Sequence, residues 1–445
     1  MDGLIMAAQL LLALGLLVFI HELGHFLAAR AFGIKVEKFY IFFDFNNIKL
    51  YSKKIGDTEY GIGWFPLGGY VKIAGMVDES LDTEQLKQPP QPWEFRSKPA
   101  WQRFIVMIGG ITMNIILGII IFTFYLSYYS KAYVDPTTVT DGIYAYKTGQ
   151  EVGFKTGDKI LAIDGKKPER AIDLVSAKVF SGAVVTIQRE GKEMKLDLPD
   201  TLFKKMKDAK DDFIALHNYR FYVDSVYPYL NENPKIASTA FKAGLKKGDE
   251  IVAIQGEPVK VFGDVRALLT KYDSAKVELQ VKRDGQLVTL NTDTIRNAAL
   301  GFKPGPEEPY TTTPYSFGKA LKYGTKDGFS AIYYNALGIG KIFQGQVSAR
   351  DSIQSPIGIA QIFGGKWIWA KFWYLTGLIS FILAFMNILP IPALDGGHVM
   401  FIIVELIQGK PVSEKFLEAA QKVGIVILLA LMVFAFGNDL IKIFT

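Results

Sequence analysis

Long uncharged apolar runs dominate the pattern of hydrophobic and polar positions. They are Leu4–Ile20, Phe104–Ser130, Phe372–Leu394 and Val423–Asn438. A helix needs about 20 residues to cross the roughly 30 Å hydrocarbon core of a bilayer. The second and third runs reach that length outright, the first by continuing to about Ala29, and the fourth by continuing to about Lys442. The pattern therefore predicts four transmembrane helices. No positively charged segment precedes the first run and no small-residue cleavage site follows it, so we do not interpret it as a removable signal peptide.

The polar segment between the first two runs predicts a small β-region. Its β-branched and aromatic stretches are Lys35–Phe43, Ile48–Lys53, Glu59–Phe65 and Tyr70–Ala74. Glycines at 61, 63, 68, 69 and 75 punctuate them, as expected for hairpins and bends. Residues 78–99, with several prolines and acids, are interpreted as an exposed loop.

A second polar block, between the second and third runs, contains an internal repeat. The stretch Gly153–Gly165 aligns without gaps on Gly244–Gly256, and eight of the thirteen positions are identical. Each copy has a Gly-Asp turn, an alternating apolar strand and a second glycine turn, which is typical of a small β-rich module. The repeat predicts two copies of one domain, over residues 131–205 and 212–303.

The remainder of this block predicts a linker and a helix. Residues 304–313 are rich in proline and threonine, which favours a linker. From Phe317 to about Phe343, aromatic and aliphatic residues alternate with lysines at helical spacing. Two positions are open for this helix: along the outer membrane surface, or packed against the β-rich modules.

The distribution of charge orients the chain and narrows its class. Basic residues flank the β-region at Arg30, Lys35, Lys38, Arg96, Lys98 and Arg103. Because cytoplasmic flanks of transmembrane helices are enriched in Lys and Arg, this segment is predicted to be cytoplasmic and the N-terminus outside. A net charge of only +6 without a basic stripe makes nucleic acid an unexpected partner. The chain has no cysteine, which excludes thiolate metal sites and disulfides.

Ionisable side chains stand inside the first apolar helix, in the stretch His21-Glu22-Leu23-Gly24-His25. Histidines four residues apart lie on one face of a helix, a spacing that suits two ligands of one zinc ion. Glu22 between them is placed to act as general base on a water at the metal. The alternative is a pair of core histidines beside a chance glutamate. Ionisable groups at membrane depth rarely persist without a role, which favours the metal site.

A third ligand is expected at the end of the third run. There Asn387 is followed by Pro390, Pro392 and Asp395. The prolines break the helix, and the topology brings Asp395 to the same membrane side as the two histidines. Two imidazoles, one carboxylate and a water would complete a catalytic zinc site. A helix N-cap remains the alternative for Asp395, His398 is an alternative ligand, and a polar cap on the broken helix is the alternative for Asn387.

These two motifs together resemble the site-2 protease family of intramembrane zinc metalloproteases. The span count and the duplicated module, whose Ala243–Val259 stretch is similar to PDZ domains, resemble its regulator-of-sigma-E protease branch with two PDZ domains. The resemblance implies that His21, His25 and Asp395 bind zinc, that Glu22 is catalytic and that Asn387 helps to hold an unwound substrate. It also implies that the glycine-rich hairpin with Gly61, Gly63, Gly68 and Gly69 belongs to a membrane-associated β-region that presents a strand edge to the substrate.

The expected architecture is a multi-domain chain, with a polytopic α-helical membrane domain of four transmembrane helices, a membrane-associated β-region and two PDZ-like domains. Its predicted segments are 1–30 (first helix), 31–102 (β-region and loop), 103–130 (second helix), 131–205 and 212–303 (modules), 304–366 (linker and surface helix), 367–398 (third helix) and 399–445 (fourth helix).

The expected function is zinc-dependent hydrolysis of the transmembrane segments of single-pass proteins, such as pre-trimmed anti-sigma factors or remnant signal peptides. The enzyme would lie in the lipid bilayer of the bacterial inner membrane, with its site toward the cytoplasm and its PDZ-like domains outside. These domains either filter substrates by size, which we favour, or bind peptides by strand addition. A non-catalytic peptide-binding scaffold with a structural metal site, or a transporter with broken helices, is the alternative. Neither of these alternatives explains Glu22.

Overall fold

The computed structural model describes residues 2–444 except 67, 77–87, 210–211, 230–236, 296, 306–310, 346–347, 349 and 351–352. The chain divides into two compact units. The first, here called the membrane unit, comprises the residues up to Lys131 and those from Tyr315 onward. The second, here called the modular unit, is Ala132–Pro314.

The helices and strands have the following bounds. The helices are α1 (Asp2–Ala31), α2 (Ala100–Phe124), α3 (Lys147–Glu151), α4 (Ala177–Phe180), α5 (Leu202–Ala209), α6 (Thr239–Lys242), α7 (Phe262–Lys271), α8 (Phe317–Phe343), α9 (Pro356–Phe363), α10 (Trp369–Ile388), α11 (Asp395–Gln408) and α12 (Glu414–Phe444). The strands are β1 (Val36–Ile41), β2 (Lys49–Ile55), β3 (Thr58–Gly63), β4 (Tyr70–Ile73), β5 (Ala132–Val134), β6 (Tyr144–Ala145), β7 (Lys159–Ile163), β8 (Val184–Arg189), β9 (Lys192–Asp197), β10 (Ile214–Ala215), β11 (Tyr222–Val226), β12 (Glu250–Ile254), β13 (Glu257–Pro258), β14 (Glu278–Arg283), β15 (Gln286–Asn291), β16 (Phe302–Gly305) and β17 (Thr312–Pro314).

Four helices in the described part of the chain are long and apolar enough to cross a membrane: α1, α2 with its π-helical continuation to Ser130, α10 and α12. These are the four predicted spans. The third is shorter than expected, because its helix ends at Ile388 instead of continuing through the proline-containing stretch. A proline removes a backbone donor and clashes with the preceding turn, so Pro390 and Pro392 separate α10 from α11.

Two of the spans cross at a pair of glycines. A Cβ atom placed on Gly24 of α1 would overlap the backbone of Gly109 in α2, and one placed on Gly109 would meet the carbonyl of Gly24. Small residues allow helix backbones to approach closely, which is the main source of packing between helices in lipid. This crossing brings the histidine-bearing turn of α1 against α2.

The predicted β-region forms one four-stranded sheet in the order β2-β3-β1-β4. Strand β1 pairs in parallel with β3, with Lys38 opposite Glu59, and antiparallel with β4, with Phe39 opposite Val71. The Phe39 ring packs edge-on against Phe19 of α1. The sheet therefore lies directly on the first span. Most of the predicted exposed loop falls on residues 77–87, which lie outside the described residues.

The repeated sequence adopts the same local structure twice in the modular unit. In the first copy β7, β8 and β9 form an antiparallel sheet, and in the second β12, β14 and β15 do the same, with β13 added at the edge. Each copy has its own buried hydrophobic cluster. Part of the predicted linker is ordered instead, because β17 pairs with β5, while residues 306–310 lie outside the description.

The helix predicted over Phe317–Phe343 is present with those bounds as α8. It packs inside the membrane unit, which neither sequence-based alternative anticipated. A Cβ atom on Gly324 would approach Phe122 and Thr123 of α2, and one on Gly328 would overlap the Phe381 ring of α10. Two glycines thus let α8 lie close to the second and third spans.

Candidate metal centre

The helix α1 places two imidazoles side by side. His21 and His25 are one turn apart, and their Nε2 atoms lie 3.2 Å from each other. His25 is buried and His21 is half-buried. Both rings thus point the same nitrogen toward one location, as the spacing in the sequence predicts.

Asp395 reaches the same location from the other end of the chain. Its Oδ2 atom lies 3.1 Å from His21 Nε2 and 3.3 Å from His25 Nε2. The turn after the prolines is tight, because a Cβ on Gly396 would overlap the backbone of Ile388 and Leu389, and one on Gly397 would overlap that of Ile391. Only glycine allows this return of the chain, so the Gly-Gly pair directs Asp395 toward the histidines.

The N-cap alternative for Asp395 is wrong. The N-cap of α11 is Leu394, and no side chain makes a capping hydrogen bond there. Asp395 is instead the first residue of the helix, with Oδ2 buried and without a hydrogen-bond partner among the described residues. A buried carboxylate oxygen without a donor is costly, which indicates that a missing partner belongs at this position.

The three facing atoms fit a tetrahedral divalent ion. Their separations of 3.1, 3.3 and 3.2 Å form a nearly equilateral triangle. Ligands about 2.0–2.1 Å from a tetrahedral ion lie about 3.3 Å apart, which matches this triangle. The closely spaced ligand atoms belong to His21, His25 and Asp395. The alternative ligand His398 is on the first turn of α11 but is not part of this group. Three ligands leave a fourth position of the ion open.

Helix α2 forms a wall of the site that the sequence analysis did not identify. Val106, Gly110 and Asn114 follow one another at one-turn spacing. The carbonyl oxygen of Val106 lies 2.8 Å from His25 Nδ1. A Cβ on Gly110 would overlap the His25 and His21 rings, so the absent side chain makes the room that the imidazoles fill. Asn114 is buried, with Nδ2 3.3 Å from His21 Nδ1. The signal in the sequence that could have indicated this wall is Asn114, a polar residue one turn after Gly110 inside an uncharged apolar run.

Asn387 and Glu22 both lie at the triad. Asn387 is in the last turn of α10, and its Nδ2 is 3.2 Å from His21 Nε2, so its amide faces the site. The backbone N–H of Val71 in β4 faces the Glu22 carboxylate. The outermost strand of the sheet thus runs beside the glutamate next to the metal ligands.

The glycines of the β-region have packing roles in this structure. Added Cβ atoms on Gly61 and Gly63 would overlap the Tyr40 ring and the Phe43 carbonyl, respectively. One on Gly68 would meet the Phe43 ring, and one on Gly69 would meet Val18 of α1. These contacts account for the four glycines within the protein, and their contact with substrate stays a prediction.

Comparison with known proteins places the whole chain in one family. The model of "Peptidase family M50" matches residues 9–431. The chain is 30% identical over 454 residues to "Regulator of sigma-E protease RseP" of Escherichia coli, covering 97% of each chain. It is 29% identical over 455 residues to "Regulator of sigma E protease" of Haemophilus influenzae, covering 97% of this chain and 98% of the relative. A Neisseria meningitidis protein named "Putative zinc metalloprotease NMA0084" is 28% identical over 457 residues, with 97% and 98% covered. The chain therefore belongs to peptidase family M50, the site-2 protease family.

Proposed function

We propose that this protein is an intramembrane zinc metalloprotease that cuts transmembrane segments of single-pass membrane proteins. The observation that carries the proposal is the triangle of His21, His25 and Asp395 with Glu22 beside it, in a helix long and apolar enough to span a bilayer. The names of the M50 relatives as sigma-E regulator proteases and as a zinc metalloprotease support the activity and the metal.

His21, His25 and Asp395 would hold the zinc ion. When bound, zinc acidifies a water molecule and polarises the scissile carbonyl. Glu22 takes the proton of the attacking water and later delivers it to the leaving amine, the usual task of a positioned carboxylate in this chemistry. The Glu22 side chain lies beside the Val71 backbone of β4.

The substrate must expose a backbone amide before it can be cut. A transmembrane helix satisfies all its amides internally, so local unwinding leaves donors and acceptors that need new partners in a medium without water. Strand β4 is the last in its sheet and runs beside Glu22, so an extended substrate can pair with it by strand addition. Asn387, whose amide can donate and accept, is available to a strand in that position.

The proposed orientation in the membrane follows the positive charges. Arg30 lies in the last turn of α1, Arg96 and Lys98 lie just before α2, and Arg103 lies in its first turn. The positive-inside rule puts these ends on the cytoplasmic side of a bacterial inner membrane, with the metal site near that side. The modular unit then lies outside the cytoplasm.

Size filtering is the role we favour for the modular unit over peptide binding. Strand addition needs a free strand edge. Strand β11, which precedes the PDZ-like stretch, pairs with β16 on one edge. On its other edge Val223 exchanges backbone hydrogen bonds with Asp249 and Gly248, at 2.8 and 2.7 Å. The backbone carbonyls of His217 and Tyr219 accept from the first residues of α7. A peptide would have to displace these bonds.

The decisive experiment is cleavage of a membrane-embedded reporter by wild type and by Glu22→Gln in detergent or vesicles. We expect the variant to lose at least the 10²- to 10⁴-fold that general-base catalysis typically contributes, while its zinc content stays equal to that of wild type. Normal cleavage by Glu22→Gln would refute the assignment of the base. Zinc retained without any chelator-sensitive cleavage in wild type would favour the scaffold.

The filter is tested separately by replacing residues 132–314 with a short flexible linker. The shortened enzyme is expected to cut reporters that carry a bulky folded domain outside the membrane, whereas wild type is expected to reject them. Both enzymes should cut a trimmed reporter. Continued rejection of the bulky reporter by the shortened enzyme would show that the modular unit is not the filter.

The substrates proposed are pre-trimmed anti-sigma factors or remnant signal peptides. The names of two relatives, as regulator of sigma-E proteases, connect these relatives with sigma-E regulation. Purified candidates of both classes, offered to wild type and to Glu22→Gln, would identify which class this enzyme accepts.

A further inference from the structure

Asn114 makes an unusual contact with a proposed metal ligand. It is 1% exposed, and its Nδ2 atom lies 3.3 Å from His21 Nδ1. Its Oδ1 atom is buried and has no hydrogen-bond partner among the described residues. A buried amide oxygen without a donor carries a desolvation penalty. The arrangement therefore raises the question of which amide atom faces the imidazole.

The two histidines differ in what their Nδ1 atoms meet. His25 Nδ1 is 2.8 Å from the Val106 carbonyl oxygen, which can only accept, so Nδ1 carries the hydrogen and Nε2 keeps its lone pair. His21 Nδ1 faces an amide nitrogen, which can only donate. In neutral His21 that contact requires the hydrogen on Nε2, the atom that points at Asp395. An Nε2 that carries a hydrogen cannot bind a metal.

Turning the Asn114 amide over gives its oxygen a donor and removes the need for a hydrogen on His21 Nε2, while Nδ2 takes the position that Oδ1 occupies in the present assignment. The oxygen and nitrogen of an amide have nearly the same shape, and their assignment follows from the hydrogen bonds around them. With Oδ1 toward His21, the oxygen accepts from Nδ1–H, and Nε2 is left with a free lone pair. We propose that Asn114 is a positioning residue that accepts this hydrogen bond and thereby holds His21 in the metal-binding tautomer.

The surroundings of Asn114 fix it in place for this role. Ser380 Oγ of α10 donates to the Asn114 backbone carbonyl at 2.7 Å, which ties α2 to α10 at this level. One turn earlier, Gly110 leaves the space that the imidazoles occupy. Helix α2 thus presents one acceptor to each histidine, the Val106 carbonyl to His25 and the Asn114 side chain to His21. Acceptors behind metal-bound imidazoles generally fix the tautomer and ring orientation.

The test is the zinc affinity of the full-length protein in detergent, measured by competition with a chelator for wild type, Asn114→Leu and Asn114→Asp. The inference rests on the proposed zinc site, so wild type serves as the reference. Loss of an acceptor behind a metal-bound histidine typically costs 10- to 100-fold in affinity. We expect Asn114→Leu to show that loss, and Asn114→Asp, which has nearly the same volume and only accepts, to bind within a few-fold of wild type or more tightly.

Thr112→Val is the matched control. Thr112 is an exposed polar residue of the same helix, and its hydroxyl donates to the backbone carbonyl of Ile108 one turn earlier, away from the site. Its replacement should leave the zinc affinity unchanged. Equal affinity of Asn114→Leu and wild type would show that Asn114 only fills space. An Asn114→Asp variant as weak as Asn114→Leu would show that the amide does not act as an acceptor. Absence of zinc binding by wild type would instead refute the metal site itself.

Discussion

Two buried aspartates, one in each unit, show opposite states of hydrogen bonding. Asp395 in the membrane unit faces two imidazole nitrogens, and its Oδ2 has no hydrogen-bond partner among the described residues. Asp249 in the modular unit is completely buried, but both of its oxygens accept from Arg283, at 2.7 Å each. Its Oδ2 also accepts from the Lys246 N–H at 2.8 Å.

The ionisation of Asp249 reflects this environment. Burial alone would raise the pKa of Asp249, but the hydrogen bonds from Arg283 and the Lys246 N–H outweigh it and lower that pKa below its usual value. The first module repeats the arrangement. There Asp158 accepts from Arg189 at 2.7 Å and from the Lys155 N–H at 2.8 Å. The same carboxylate–arginine pair occurs in both copies, and its carboxylate oxygens all accept hydrogen bonds. Such a pair is expected to stabilise the module rather than to bind a ligand.

The difference separates a stabilising network from a binding site. Buried polar groups in folded proteins are nearly always paired, and a buried charge without its partner is costly. Asp249 and Asp158 satisfy that rule with arginine and backbone N–H donors, while Asp395 Oδ2 faces the two imidazole nitrogens and makes no hydrogen bond to the described residues. Removing these aspartates should therefore have different consequences, and the following predictions test the contrast.

The largest effect is expected for Asp395→Ala. Loss of one of three ligands should reduce the zinc content of the purified protein from about one ion per chain to nearly none. The fold should persist, because the contacts that Asp395 Oδ2 makes with the described residues are to the two histidines of the site itself. Metal analysis measures the zinc content, and thermal unfolding of the same sample measures the stability of the fold. Unchanged zinc would instead point to His398 or another ligand.

A large effect is also expected for Gly110→Ala. The added Cβ would overlap both imidazoles, which must then move out of the triangle. Misplaced ligands should weaken zinc binding by at least 10-fold, comparable with the loss of a supporting hydrogen bond. Gly437→Ala in α12 is the control, because no atom of the described residues outside its own helix backbone lies within 4 Å of its added Cβ. If Gly110→Ala bound zinc like Gly437→Ala, the close fit of α2 to the site would be contradicted.

An intermediate effect, on stability and not on metal, is expected for Asp249→Ala. The change removes the carboxylate of Asp249, which is 0% exposed in the folded protein, and leaves Arg283 without this partner. Because 22% of the Arg283 side chain is exposed, water can reach its freed charge. The cost is then that of losing charge-assisted hydrogen bonds, about 1.5–3 kcal/mol in the free energy of unfolding. Asp158→Ala should act similarly on the first module, whose pair has the same geometry. Zinc content should stay at the wild-type level in both variants. Zinc loss in either would break the contrast between the units.

The smallest effect is a dependence on pH in the modular unit. Burial, with a smaller contribution from Arg266, lowers the pKa of His217 to about 4. An unfolded histidine has a pKa near 6.5, so the unfolded state binds the extra proton first as the pH falls. The unfolding temperature of the unit should therefore decrease from about pH 6.5 toward pH 4. His217→Gln should flatten that part of the curve, and an unchanged curve would contradict this source of the pH dependence.

The site was only partly predictable from the sequence. Helical geometry fixes the relation of His21, Glu22 and His25, because the spacing of a helix is local. The approach of Asp395 followed from the topology of the spans and a pair of prolines that end a helix. The contribution of α2 did not follow. Which face of α2 meets α1 depends on the crossing at Gly24 and Gly109, and an evenly apolar span does not reveal its rotation.

The sequence by itself determined the spans, the β-region and the duplicated module, because each is specified by a local period or by direct repetition. Only the tertiary structure decided that α8 lies on α2 and α10, that Gly110 makes room for two imidazoles, and that Asp395 Oδ2 closes the triangle with the two histidines. These features depend on close contacts between backbones distant in the chain. Such contacts need a glycine where the two segments meet, and a pattern of hydrophobic and polar positions does not show which glycine lies at such a contact.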